Sequence, residues 1–186
     1  MSELKIFLGP PGAGKGTQAK KIALEFGLAH ISTGDMLRDH ISSKTDLGKI
    51  AKSVMDEGKL VSDDLVIEML VERLGSNDCK KGAILDGFPR TLPQAKSLEE
   101  IKNKFPVLKV FVFEVDEEEL IQRILLRGKT SGRPDDTEES IKVRFEIYTE
   151  DTEPLVNFYN KQDKVVKINA VGDIDEIYHN IAKHFN

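Results

Sequence analysis

Short apolar runs and helical periodicities alternate along this chain. Ile6-Phe7-Leu8 reads as a buried strand, and Ile22, Ala23 and Phe26 share one face of a helix running from Gln18. Ala29-His30-Ile31 is a short strand. Ser32-Thr33-Gly34-Asp35 then opens a helix through Met36, Leu37 and Ile41. Two more helices follow, at roughly 47–57 and 63–74. The second has Ser62 or Asp63 as its N-cap and carries Leu65, Met69, Leu70 and Leu74. Ala83-Ile84-Leu85 is a buried strand ending at Asp86, and Gly87-Phe88-Pro89-Arg90 is a loop before a helix starting near Pro93.

Val107 to Val115 predicts the next strand. Asp116 with Glu119 forms a capping box for a helix bearing Leu120, Ile121, Ile124 and Leu125. Lys129-Thr130-Ser131-Gly132 reads as a flexible link. Asp136 with Glu139 caps a long helix with Ile141, Phe145, Tyr148, Thr152 and Leu155 on one face, which Pro154 should kink or break. Val165 to Ile168 is the last strand. Asp173 with Glu176 caps a closing helix through Ile174, Ile177, Tyr178, Ile181 and Phe185. Alternating strands and helices predict an α/β fold: a parallel sheet of about five strands with helices on both faces.

Composition narrows the picture. A length of 186 residues without repeats or linkers suits one domain. Cys79 is the one cysteine, so no disulfide and no cysteine-based structural zinc is expected. No apolar run approaches membrane-spanning length, and no leader pattern precedes the first strand. Cytoplasmic location without membrane association is the expectation. A net charge of −5 disfavours nucleic-acid binding.

The strongest chemistry lies at Gly9-Pro10-Pro11-Gly12-Ala13-Gly14-Lys15-Gly16-Thr17, between the first strand and the first helix. Glycines let the backbone curl with N–H groups inward, and a helix N-terminus adds partial positive charge there. Lys15 can reach the outer phosphates of a nucleotide. This is a P-loop NTPase-type context, although the residue after the lysine is Gly16 and the hydroxyl comes one later, at Thr17. Asp86, at a strand end before glycine, stands where such proteins hold Mg²⁺, usually through water. Taken alone it fits a turn aspartate equally well.

Arginine is used sparingly: seven, against 20 lysines (27 − 7). Arg90 follows a strand end, Arg123 and Arg127 share a helix face, Arg133 lies just past the link, and Arg144 sits on the long helix. Forked guanidinium groups suit phosphate oxygens. Arg73 fits no motif and reads as a surface charge. Asn160-Lys161-Gln162-Asp163 matches a guanine-reading tetrapeptide. Yet it follows a helix, and no Asp-x-x-Gly occurs in the chain, so it reads as a polar turn. The four histidines have no ligand-like spacing. An NTP-hydrolysing switch and a nucleotide sensor without turnover remain alternatives to a phosphotransferase.

Four motifs together carry a resemblance. They are Gly9 to Thr17, Ser32-Thr-Gly-Asp-Met-Leu-Arg38, Asp86-Gly-Phe-Pro-Arg-Thr-Leu-Pro-Gln94 and Arg127-Gly-Lys-Thr-Ser-Gly-Arg-Pro-Asp-Asp136. In this order, over nearly the whole length, the chain resembles the adenylate kinases and more broadly the nucleoside monophosphate kinases. The resemblance implies a single domain over 1–186 that moves phosphate reversibly from ATP to AMP, giving two ADP with Mg²⁺. It implies a mobile AMP-binding segment at about 32–61 and a short lid at about 128–138 without zinc. Gly12, Ala13, Gly14, Lys15, Gly16 and Thr17 would cradle the ATP phosphates, with Arg127 beside them. Thr33, Arg38, Gly87, Arg90 and Gln94 would form the AMP site, joined by Arg133 and Arg144. Lys15, Arg90, Arg123, Arg133 and Arg144 would surround the transferred phosphoryl group. A short-lid member is expected to be a monomer. The runner-up within the family is a UMP/CMP kinase, differing at Thr33 and Gln94.

Overall fold

The computed structural model of the chain describes residues 2–131 and 137–185. Five strands form one parallel sheet: β1 (Leu4–Leu8), β2 (Ala29–Ser32), β3 (Ala83–Asp86), β4 (Val107–Glu114) and β5 (Val165–Asn169). Their order is β2-β3-β1-β4-β5. Parallel neighbours cannot be joined by tight turns, so helices fill every crossover. These are α1 (Lys15–Phe26), α2 (Thr33–Ser42), α3 (Asp46–Asp56), α4 (Asp63–Leu74), α5 (Leu92–Glu100), α6 (Glu117–Ser131), α7 (Glu138–Ile147), α8 (Pro154–Asn160) and α9 (Ile174–Ala182).

Side chains alternate across each strand, and the core divides accordingly. Leu4, Ile6, Leu8, Leu85, Val110 and Val112 face one layer, packed by α2 to α5 and α8. Phe7, Ile84, Phe111 and Phe113 face the other, packed by α1, α6 and α9. All these strand residues are essentially buried. Each large one contributes roughly 1.5–3 kcal/mol from burial. β1 takes β3 on one side and β4 on the other, with Leu4 opposite both Ala83 and Val107. Chain paths diverge to either side of β1, and a crevice opens beyond its C-terminal end, where ligands of such sheets bind.

The expected strands and most helices are present, with instructive differences. α1 begins at Lys15, a turn earlier than Gln18, because Gly14 in the left-handed region (φ 85) supplies the N-cap. The cap of α7 is Thr137, not Asp136, which lies outside the described residues. Thr137 and Ser140 form a reciprocal box. The hydroxyls of Thr137 and Ser140 reach each other's backbone N–H, which removes the need for a carboxylate. Helical backbone runs through Lys129, Thr130 and Ser131 rather than a flexible link. Gly128 within a helix costs only about 1 kcal/mol, and no proline interrupts it before Pro134. Gly132 is outside the described residues. The long helix is interrupted by a π-helical turn, Tyr148–Thr152, before α8 restarts with Pro154 at its first position. Proline lacks the N–H that a continuous ladder requires. Arg73 is more than a surface charge, since it forks onto Asp78 at 2.5 and 2.8 Å and reaches the buried Cys79 Sγ at 3.2 Å.

Candidate active site

The loop after β1 is shaped by two left-handed glycines, Gly12 (φ 84) and Gly14 (φ 85). Lys15, first residue of α1, folds back over it. Its Nζ donates to the carbonyls of Gly9 at 2.7 Å and Pro10 at 2.8 Å. Burial pushes the ammonium down to about 8, and repulsion from Arg90 and Arg127 adds to this, while Asp86 pulls the other way. Lys15 is therefore a half-buried charge, partly withdrawn from water among other charges, where the effective dielectric is lower than in bulk water.

Asp86 ends β3 beside this loop. A Cβ on Gly16 would sit 3.1 Å from Asp86 Oδ2, so the lack of a side chain there lets the carboxylate approach. Burial pushes Asp86 up, but His30, Lys15 and Arg90 together hold it below the ordinary carboxylate range. His30 Nε2 lies 3.4 Å from Asp86 Oδ2. His30 has no ligand-like spacing in the sequence. It reaches Asp86 only because β2 and β3 pair with Ser32 opposite Asp86, which places His30 two residues back on the same face.

The turn after β3 is tied to its neighbours by hydrogen bonds. Thr33 Oγ1 donates to the Gly87 carbonyl at 2.8 Å, and Arg90 Nε donates to that carbonyl at 2.9 Å. The Thr33 hydroxyl therefore meets a ligand as an acceptor, its proton being used. The Arg90 carbonyl accepts from Thr152 Oγ1 at 2.8 Å, so the π-helical turn holds the arginine's backbone. Gln94 Oε1 accepts from Arg90 N–H at 2.7 Å, and Gln94 Nε2 donates to Asp63 Oδ1 at 2.7 Å. Arg38 pairs with Asp35 at 2.6 Å. Arg123 pairs with Glu119 one turn earlier and donates to the Ala170 carbonyl at 3.1 Å.

A cavity of about 1020 Å³ gathers these residues. Its walls include Gly12 to Thr17, Thr33, Arg38, Asp86, Gly87, Arg90, Gln94, Arg123, Arg127 and Arg144. Every expected site residue is there except Arg133, which lies outside the described residues. Lys15 and five of the seven arginines line one volume. The walls of this volume do not include Asn160 to Asp163, which sit where α8 turns into β5. Sequence reasoning missed Asp63 and His30, which contact Gln94 and Asp86, and Thr152 and Tyr148, which line the cavity. Thr152 carried only a core-facing periodicity. Asp63 carried only a helix-start signal.

A cavity rimmed by a phosphate loop, one half-buried lysine and converging arginines can take two phosphate-bearing molecules end to end. It can also balance the charge between them. The family model described as adenylate kinase matches residues 7–164. The adenylate kinase of Parabacteroides distasonis is 47% identical over 183 residues, 97% of this chain and 96% of that protein. The adenylate kinase of Xanthomonas euvesicatoria is 44% identical over 180 residues, 96% of each chain. That of Thermus thermophilus is 46% identical over 175 residues, 93% of this chain and 91% of its own. Fold, site and relatives agree across nearly the whole length, and the chain belongs to the adenylate kinase family.

Proposed function

We propose that this protein transfers the terminal phosphoryl group of ATP to the phosphate of AMP, and back, giving two ADP. The observation that carries this reading is the gathering of Lys15, Arg38, Arg90, Arg123, Arg127 and Arg144 on one cavity behind a phosphate loop. ATP and AMP are both anionic and repel each other, so holding them in line needs cations from several elements. Phosphoryl transfer puts charge on the equatorial oxygens and needs little covalent help. Catalysis is then alignment plus preorganised positive charge.

In this reading the loop N–H groups, Lys15 and Thr17 hold the ATP phosphates, with Arg127 beside them. Thr33, Arg38, Gly87, Arg90 and Gln94 hold AMP. Arg123, Arg133 and Arg144 meet the phosphoryl group in passage, and Arg123 trades Glu119 for it. The segments at about 32–61 and 128–138 close over the substrates and keep water from accepting the phosphoryl group. The donor set fits Mg²⁺ delivered with ATP. Asp86 is held ionised beside Gly16, and the Thr17 hydroxyl lines the same cavity. Among the described residues no three His, Cys, Asp or Glu side chains converge on one point. That suits an ion carried largely by phosphates and water. When bound, the ion would neutralise charge on the phosphate oxygens. No helix among the described residues is long and apolar enough to cross a membrane. The reading takes the enzyme as a cytoplasmic monomer, which fractionation and sedimentation would check.

The test is an acceptor panel of AMP, GMP, UMP and CMP with MgATP, run on wild type and Gln94→Ala. AMP should win clearly in wild type, and its margin should shrink in the variant. Preference for UMP or CMP would make the protein a pyrimidine monophosphate kinase. ATP hydrolysis without an acceptor, or binding without turnover, would overturn the phosphotransferase reading.

A further inference from the structure

A glutamine reads a base only if its amide points the right way round. The oxygen and nitrogen of that amide are nearly the same size, and its last torsion is broad and two-fold. Neighbours must therefore decide which end is which. Gln94 is 2% exposed and lines the cavity. Its Oε1 takes the N–H of Arg90 at 2.7 Å, and its Nε2 gives a proton to Asp63 Oδ1 at 2.7 Å. A backbone N–H can only donate, and a carboxylate only accepts. A flipped amide would set NH₂ against N–H and carbonyl oxygen against carboxylate. Both contacts repel, so one orientation is imposed from two sides.

A primary amide has two lone pairs and two N–H bonds. One of each is used here, leaving one lone pair and one N–H for a ligand. Adenine offers the matching pair, an N6 amino donor and an N1 acceptor. A 6-oxo purine offers the reverse, an O6 acceptor and an N1–H donor, which a flipped amide would match. We propose that Asp63 is a positioning residue that locks the Gln94 amide and thereby selects 6-amino over 6-oxo purine monophosphates. The proposal rests on Gln94 being the base contact described above. Asp63 is well placed for the task. It stands in the first turn of α4, where the helix dipole favours a carboxylate. Its second oxygen accepts from Thr91 Oγ1 at 3.0 Å, and Thr91 in turn caps α5 by accepting from Gln94 N–H at 3.3 Å. The carboxylate thus grips both the amide and the helix end that carries it.

The experiment compares kcat/KM for AMP and for inosine monophosphate, with MgATP, in wild type, Asp63→Asn, Asp63→Ala and Thr91→Val. Melting curves and the KM for ATP are measured alongside. The wild type should favour AMP strongly. In Asp63→Ala the AMP-to-IMP ratio should fall at least about tenfold, the effect of one lost buried hydrogen bond, through the acceptor KM while the ATP KM holds. Asp63→Asn keeps one oxygen that can accept from Gln94 but also offers an NH₂ that a flipped amide would match, so the ratio should fall there too, by less. Thr91→Val should lower the melting temperature and leave the ratio unchanged. In a Gln94→Ala background, Asp63→Ala should move the ratio no further. An unchanged ratio in both Asp63 variants overturns the proposal, as does an equal fall in Thr91→Val, which would make Asp63 a clamp on the helix alone. A wild type that does not use AMP overturns the functional reading itself. A wild type that uses AMP and IMP equally removes Gln94 as the base contact.

Discussion

Replacing Lys15 by methionine separates what the loop lysine does for chemistry from what its charge does to the fold. Burial, the largest influence, lowers this lysine from 10.5 to about 8. An unfolded chain restores the ordinary value, so 2.5 pK units (10.5 − 8) separate the two states. At 1.36 kcal/mol per unit that is about 3 kcal/mol. Below pH 8 both states carry the proton, and the folded state bears the whole penalty of a buried charge. Between pH 8 and 10.5 the unfolded chain holds the proton and the folded chain does not, so stability rises with pH. Above 10.5 the term is constant. Lys15→Met lacks this slope. In the wild-type-minus-variant difference, pH-independent losses from the substitution are a constant offset, so only the change of that difference with pH is read. Titrations shared by both proteins cancel. The difference should move by about 3 kcal/mol in the wild type's favour between pH 7 and pH 10.5, nearly all of it above pH 8. Urea unfolding across that range measures it. In the same folded variant ADP formation should fall by about 10²–10³-fold. A stability difference that stays flat with pH would refute the desolvation of this charge. Near-normal turnover would refute its catalytic use.

The same titration should appear in kinetics. At low ATP, kcat/KM should fall as pH rises through about 8, while kcat at saturating ATP holds to higher pH, because bound phosphates favour the charged lysine. Arg133→Ala should lower turnover more than ATP binding, as measured by titration beside kinetics. Lost binding with kcat retained would make Arg133 a ground-state contact. Gly12→Ala should cost at least ~1–2 kcal/mol from backbone alone, on top of a Cβ only 2.9 Å from the Leu120 carbonyl oxygen, and should weaken ATP binding. An unchanged melting temperature would show that the loop does not need its left-handed turn.

The sheet was legible because buried parallel strands leave uninterrupted apolar runs, and the loop because few other uses demand four glycines and a lysine between a strand and a helix. What escaped was non-local. Asp63 and Gln94 are 31 residues apart, and no periodicity links them. His30 and Asp86 meet only through strand register, which the sequence of either strand does not carry. The start of α1 was misplaced because a left-handed glycine caps it without a side chain. Pro154 marked the break in the long helix but not its form. The π-helical turn also depends on Thr152 reaching the carbonyl of Arg90, 62 residues away. Lys129 to Ser131 continue α6, because Ser and Thr cost a helix only fractions of a kcal/mol and so do not end it.

β1, which precedes the other four strands in sequence, is the middle strand of the sheet. Leu4 pairs with Ala83 and Val107, which follow it by 79 and 103 residues (83 − 4 and 107 − 4). The loop's first residue backs directly onto β4, since a Cβ on Gly9 would lie 2.9 Å from the Phe113 Cβ. A growing chain therefore makes the loop well before the strand that backs its first residue. Closing such long separations is slow, and it precedes any reward from the contacts. The loop gains its backing only when β4 docks. A well-shaped phosphate loop is in this sense a mark that β1 and β4 have come together, whatever stage β5 has reached.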